Sequence, residues 1–206
     1  AMSNDVSILG VGMHPWGKWG KNFVEYGVVA AEAALKDANL SWKDIQYVSG
    51  ANTLRCGYPG NISGATFAQA LGWTGVRVSS VYAACASGAV AMNVARGQIL
   101  SGQCDVALVI GSDAAPKGFF APQGGERPDD PDWLRFRLLG ATNPTYFAFY
   151  ARRRMEMYGA TESDFAKIKV KNAKHGFKNP YARYKKQFTE EQVLNSPMVS
   201  DPLRLF

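Results

Sequence analysis

The residue in this chain best placed for covalent chemistry is a lone thiol. In Val81-Tyr82-Ala83-Ala84-Cys85-Ala86-Ser87-Gly88, the alternating run Val76 to Val81 gives way to small apolar residues, and Ala, Val, Met and Ile dominate from Ala86 to Leu100. Alternation marks a strand, and the run that follows suits a helix buried on most sides. Cys85 then falls at the first turn of that helix. Unpaired backbone N–H groups and the positive end of the helix dipole favour an anion there, and the thiolate is the nucleophilic form of cysteine. The same position also suits a cysteine that only fills space, since free cysteines are among the most buried residues.

Few other side chains could complete such a site. His14 and His175 are the two imidazoles, and either is chemically able to act as a base for Cys85. His14 follows an apolar run, whereas His175 lies at a basic helix end where imidazolium suits the dipole, so surface or capping roles account for both. Nothing in the spacing fixes either one next to the thiol, which leaves a cysteine-protease arrangement unsupported. Arg152, Arg153 and Arg154 are consecutive, and in a helix they point in different directions, so one or two at most face a single ligand. Asp129, Asp130 and Asp132 lie among prolines without the spacing of a calcium loop. Cys56, Cys85 and Cys104 are odd in number and contain no Cys-x-x-Cys pair, so neither a disulfide framework nor a zinc cluster is indicated, and no metal is expected.

The elements that must position Cys85 follow from periodicity. Val6 to Gly12 reads as a buried strand; its glycines do not form a dinucleotide fingerprint, because Pro15 stands where the third glycine belongs. A helix is predicted from Val24 to Leu40, a strand from Gln46 to Ala51, a loop from Asn52 to Gly60 with Arg55, Cys56 and Pro59, and a helix from Ile62 to Leu71 ended by Gly72. The continuous apolar run Cys104 to Gly111 has the length of a buried parallel strand. Four strands alternating with three helices within residues 1–112 (βαβαβαβ) predict an α/β layered core with a mainly parallel sheet, whose working groups collect at the carboxyl ends of the strands. Composition changes after Ser112. Residues 113–206 read as a loop or lid domain, irregular from Asp113 to Pro144 and helical over Thr145 to Tyr158 and Thr161 to His175, the last opened by the capping pattern Thr161-Glu162-Ser163-Asp164 and closed at Gly176.

Charge and composition narrow the classes. With 47% hydrophobic and 12% aromatic residues among 206, a substantial core is within reach. Twenty-three basic against 17 acidic residues give a net charge of +6, concentrated from Arg152 to Arg154 and from Lys167 to Lys186. That balance suits an anionic partner, and a phosphate-bearing small molecule uses it as well as nucleic acid does; no nucleic-acid module is present to favour the latter. No stretch has the length of a membrane span and the start lacks a secretory pattern, so a cytoplasmic, reducing setting is expected.

Taken together, Val81 to Gly88, Gly10-Val11-Gly12-Met13, Leu35-Lys36-Asp37-Ala38-Asn39-Leu40 and Gly111-Ser112 resemble the thiolase superfamily. Lys171-Asn172-Ala173-Lys174-His175, Asn179-Pro180-Tyr181 and Ser200-Asp201-Pro202-Leu203-Arg204-Leu205-Phe206 are most similar to its branch of sterol-carrier-protein thiolases and bacterial lipid-transfer-protein thiolases. The resemblance implies a fold of two similar α/β halves, of which this chain is the first, N-terminal half with its loop domain. It implies that Cys85 takes an acyl group as a thioester during cleavage of a 3-ketoacyl-CoA in lipid or steroid side-chain metabolism, with coenzyme A as substrate and no permanently bound cofactor. Phe119, Phe120, Arg153 and His175 are the implied contacts for the acyl chain and CoA. A homodimer through residues 76–81 and a small acyl-CoA-binding partner protein are implied as well. The histidines and second cysteine of the family's other half have no counterpart here, so a truncated, inactive fragment is the expectation. Two alternatives are a steroid-type 3-hydroxyacyl-CoA retro-aldolase, which needs no acyl-accepting thiol, and a non-catalytic lipid- or acyl-CoA-binding subunit.

Overall fold

The computed structural model describes residues 5–53, 62–115, 128–129, 131–140 and 142–206. Two compact units divide the chain, Ala1–Pro116 and Lys117–Phe206. In the first, helices α1 (Phe23–Asp37), α2 (Ser63–Leu71) and α3 (Ser87–Leu100) alternate with strands β1 (Tyr47–Ala51), β2 (Arg77–Val81) and β3 (Ala107–Gly111). The strands form a parallel sheet in the order β2-β1-β3. Parallel neighbours need crossovers, and here each crossover is a helix, which leaves both sheet faces covered.

Sequence alternation within the strands decides which helix meets which face. Val48, Leu108 and Ile110 point to one side and form a cluster with Phe23, Ala31 and Leu35 of α1 and Phe67 of α2. Ala51, Val81 and Val109 point to the other, against Ala91 and Val94 of α3. At the centre β1 is buried along its whole length. Gly50 of β1 and Gly64 of α2 permit close approach: a Cβ on Gly50 would collide with the Ser63 and Gly64 backbone, and one on Gly64 with the Ser79 carbonyl of β2. The pair of glycines lets the start of α2 sit directly on the sheet, and the Gly64 N–H donates to Ser80 Oγ at 3.0 Å. Helix α1 begins at a capping box, with Asn22 and Glu25 each accepting from the other's backbone N–H, so its start is fixed by local chemistry.

Two expectations for this unit need correction. Val6 to Gly12 joins no ladder; no strand occurs within residues 5–22, so the order over the described residues is αβαβαβ. Apolar, β-branched residues favour extended backbone, but a strand also needs a neighbour for its N–H and C=O groups. This segment instead crosses α1: Gly10 and Gly12 press against the Ala30, Ala34 and Ala38 backbone, and the Val11 N–H donates to the Asp37 carboxylate at 2.9 Å. Helix α3 is not buried on most sides. Only Ser87, Ala91 and Ala95 are enclosed, because one stripe meets the sheet while Met92, on another face, is 50% exposed.

The second unit holds α4 (Pro131–Leu139), α5 (Asn143–Tyr158), α6 (Glu162–Lys178), α7 (Glu190–Leu194) and an antiparallel pair, β4 (Met198–Ser200) with β5 (Leu203–Arg204). Helix α4 lies inside the stretch expected to be irregular; proline at its first position is a helix-compatible start, which a count of prolines hides. The Thr161–Asp164 capping box opens α6 as expected, but the helix runs past Gly176 to Lys178. Arg204 ties its end of the chain to α6, donating to the Glu162 carboxylate at 3.1 Å and to the Ser196 carbonyl at 3.2 Å. Among the described residues no helix is long and apolar enough to cross a membrane.

Candidate active site

Cys85 stands one short turn earlier than expected. Strand β2 ends at Val81, residues Ala84–Ala86 form a single 3₁₀ turn, and α3 begins at Ser87. The thiol is free and exposed. Its predecessor Ala84 has φ +47°, a left-handed conformation that costs a residue with a Cβ about 1 kcal/mol or more. Such a turn persists only when the surroundings hold it, and Ser87 supplies the hold. The Ser87 side chain is buried; its Oγ accepts from the Ala83 N–H at 2.9 Å and donates to the Ala84 carbonyl at 2.7 Å. The peptide that follows the strained residue and the one that precedes Ala83 are therefore tied to one hydroxyl. The result is a strand–sharp turn–helix elbow that thrusts a short side chain outward, the arrangement by which other folds expose a nucleophile.

Because the ladder is parallel, the carboxyl ends of all three strands face the same way, and polar residues gather there. Asn52, buried, follows β1; Ser112 and Asp113 follow β3. The Thr53 N–H donates to both Asp113 carboxylate oxygens, at 2.8 and 3.1 Å, and Ser112 Oγ donates to the Phe23 carbonyl. The first of these contacts cross-links the ends of β1 and β3, and the second ties the end of β3 to the start of α1. Sequence reasoning passed over Ser87, Asn52 and Asp113. The available signal was position: each is a polar residue within a few places of a buried strand's carboxyl end.

The opposite end of the sheet carries the other described thiol. Cys104 is buried, and that burial pushes its thiol above the ordinary value, opposed by the Arg77 guanidinium. Arg77 donates to Gln103 Oε1 at 3.1 Å and to the Gln103 carbonyl, fixing the loop that covers the sulfur.

The remaining residues singled out by sequence have separate addresses. His14 is a packing element of the N-terminal segment: Nδ1 donates to the Pro15 carbonyl at 2.8 Å, Nε2 accepts from Lys21 at 3.3 Å, and the ring meets Tyr26 edge-on with centroids 4.8 Å apart. Arg153 on α5 and His175 on α6 are exposed and belong to the second unit, whereas Cys85 belongs to the first. Flanking Arg153, Arg152 pairs with Asp201 and Arg154 stacks over Tyr158 at 4.9 Å. Phe119, Phe120, Arg55, Cys56 and Asp130 lie outside the described residues. No group of three or more His, Cys, Asp or Glu side chains among the described residues is placed to hold a metal.

A parallel sheet flanked by helices, with a cysteine on a strained elbow at its carboxyl end, defines a layered α/β domain. The chain belongs to the family of the thiolase N-terminal domain, which matches residues 6–204. It is 32% identical over 215 residues to sterol carrier protein 2 of Gallus gallus, covering 97% of this chain and 38% of that protein. To the acetyl-CoA acetyltransferase of Methanocaldococcus jannaschii it is 33% identical over 212 residues, covering 98% and 51%. The solved Ltp2-ChsH2(DUF35) aldolase superposes with a TM-score of 0.73 at 24% identity, over 100% of this chain and 52% of that one, which establishes the likeness of fold. The chain thus spans about half or less of the length of these relatives.

Proposed function

We propose that this chain supplies the acyl-accepting site of a thiolase acting on 3-ketoacyl-CoA in lipid or steroid side-chain metabolism. The observation that carries the reading is the free, exposed Cys85 on its Ser87-held elbow at the carboxyl end of the parallel sheet. The Cys85 sulfur attacks the ketone carbonyl, the bond between the α and β carbons breaks, and the leaving fragment departs as an enolate that takes up a proton. The acyl group stays on Cys85 as a thioester until the thiol of coenzyme A attacks it and restores the cysteine. Backbone N–H groups at the start of α3, where no side chain caps the helix, suit the charge that develops on the carbonyl oxygen.

Coenzyme A enters as a substrate, with Phe119, Phe120, Arg153 and His175 offered as contacts for it and the acyl chain. Dimerisation through residues 76–81 is part of the same reading: β2 is an edge of the described sheet and Val78 is 41% exposed, so its outer backbone groups are open to a second copy. A small acyl-CoA-binding partner and a reducing, cytoplasmic setting complete it.

Intact-mass measurement after incubation with an acyl-CoA tests the assignment. A single acyl adduct that maps to Cys85 and vanishes in Cys85→Ser supports thiolysis. Saturable binding without an adduct would replace it with a retro-aldolase or a non-catalytic acyl-CoA-binding subunit.

A further inference from the structure

Away from the sheet, the strongest concentration of charge lies along α6. Lys167, Lys171, Lys174 and Lys178 recur at i, i+4, i+7 and i+11, which at about 100° per residue places them in one stripe of the helix. All four are exposed. Among the described residues the stripe makes one ion pair, Lys167 to Asp164 at 3.8 Å. Like charges at this spacing oppose the helix by about 0.2–0.5 kcal/mol per pair, and packing does not require them, because the enclosed side of α6 is built on Ala166. Lys169 shows what a structurally used lysine looks like on the same helix: its ammonium lies 5.1 Å from the Phe188 ring centre and 5.8 Å from that of Phe206.

The stripe also has a wall. With Val170, His175 and Glu190 at the start of α7, the four lysines line an open cavity of about 500 Å³. The one acidic member, Glu190, accepts from Ser163 Oγ at 2.5 Å, and the four lysines leave the lining with an excess of positive charge. What the cavity offers a ligand is a row of compact, freely rotating cationic donors, one per helical turn and about 5–6 Å apart at their roots.

We propose that this groove binds a small molecule carrying two or more phosphates. One phosphate would engage adjacent lysines and leave the rest of the row unneutralised; phosphates separated by a few bonds span it, each meeting an ammonium as a point charge. His175, offered above to coenzyme A, lines the groove, so the coenzyme A outcome rests on the proposed function, while acylation of Cys85 and groove binding are read by different experiments. The phosphates belong either to the nucleotide end of coenzyme A or to a separate effector.

Isothermal titration of the 206-residue chain with inorganic pyrophosphate, orthophosphate and adenosine 3′,5′-bisphosphate provides the test, with circular dichroism to confirm that each variant is folded. Expected are saturable binding of pyrophosphate and the bisphosphate, stronger than that of orthophosphate and weakened by salt, and a loss of at least about tenfold in Lys171→Gln/Lys174→Gln. The control Lys36→Gln/Lys43→Gln, in the first unit, keeps wild-type affinity. Absence of saturable binding, or the same affinity in wild type and the α6 variant, or an equal loss in the control, overturns the proposal. Coenzyme A that displaces pyrophosphate assigns the groove to the substrate's own phosphates, whereas coenzyme A that binds alongside it assigns the groove to a separate effector.

Discussion

Cys85 and Cys104 sit at opposite ends of one parallel sheet and differ in almost everything that governs a thiol. Cys85 follows a strand, rides on a left-handed residue and is exposed; Cys104 precedes a strand, is enclosed and has its thiol pushed up by burial. In this sheet the exposure of each cysteine follows the end of the strand at which the chain places it. At the carboxyl end a tight turn into a helix lifts the side chain clear of the core. At the amino end the loop leading into β3, held by Arg77 and Gln103, folds over it.

The largest change should come from Phe67→Ala. Phe67 is wholly buried and meets Phe23 edge-on with ring centres 5.7 Å apart, so removing the ring should cost the first unit about 3–5 kcal/mol in urea unfolding. The distinction between the thiols should then fade, Cys104 being alkylated at a rate approaching that of Cys85 when the modified peptides are mapped by mass. Persistent protection of Cys104 in that variant would mean that its shielding does not depend on the shared core.

Ser87→Ala should act on one side of the contrast only. It leaves the Ala83 N–H and the Ala84 carbonyl without their partner, a loss of about 1–3 kcal/mol, and releases the elbow. Slower alkylation of Cys85, with Cys104 still protected and an unchanged far-ultraviolet spectrum, is the expected outcome. An unaltered Cys85 rate across pH would remove Ser87 from any positioning role.

The smallest effect concerns alkaline pH. Since the folded state holds the Cys104 proton more tightly than the unfolded chain does, stability is full below the ordinary thiol range and declines as pH rises from there through the elevated folded value. Cys104→Ala should flatten that decline in denaturation curves measured above neutral pH, while Cys85→Ser should leave it in place.

Much of this was legible in the residues themselves. The helices over Phe23–Asp37, Ser63–Leu71 and Glu162–Lys178, and the strands ending at Ala51, Val81 and Gly111, follow from apolar spacing and from capping pairs such as Thr161 with Asp164. These are local signals, carried within a few residues of where they act. The placement of Cys85 just after the third predicted strand was equally local, and so was the family resemblance around it.

Other features needed the folded chain. Val6 to Gly12 has the composition of a strand, but strand pairing is settled by which backbone lies alongside, and Gly10 and Gly12 allow α1 to occupy that place. Helix α3 reads as buried on most sides, yet how many of its faces are covered depends on what other layers pack there. The Ser87 hold on Ala83 and Ala84, the left-handed Ala84 and the link from Thr53 to Asp113 depend on angles and distances that residue types do not encode. The sequence by itself determined that a cysteine stands where a strand gives way to a helix. Tertiary structure decided that its sulfur faces outward while that of Cys104 is enclosed, because exposure is a property of the packed layers and of the turn that connects them.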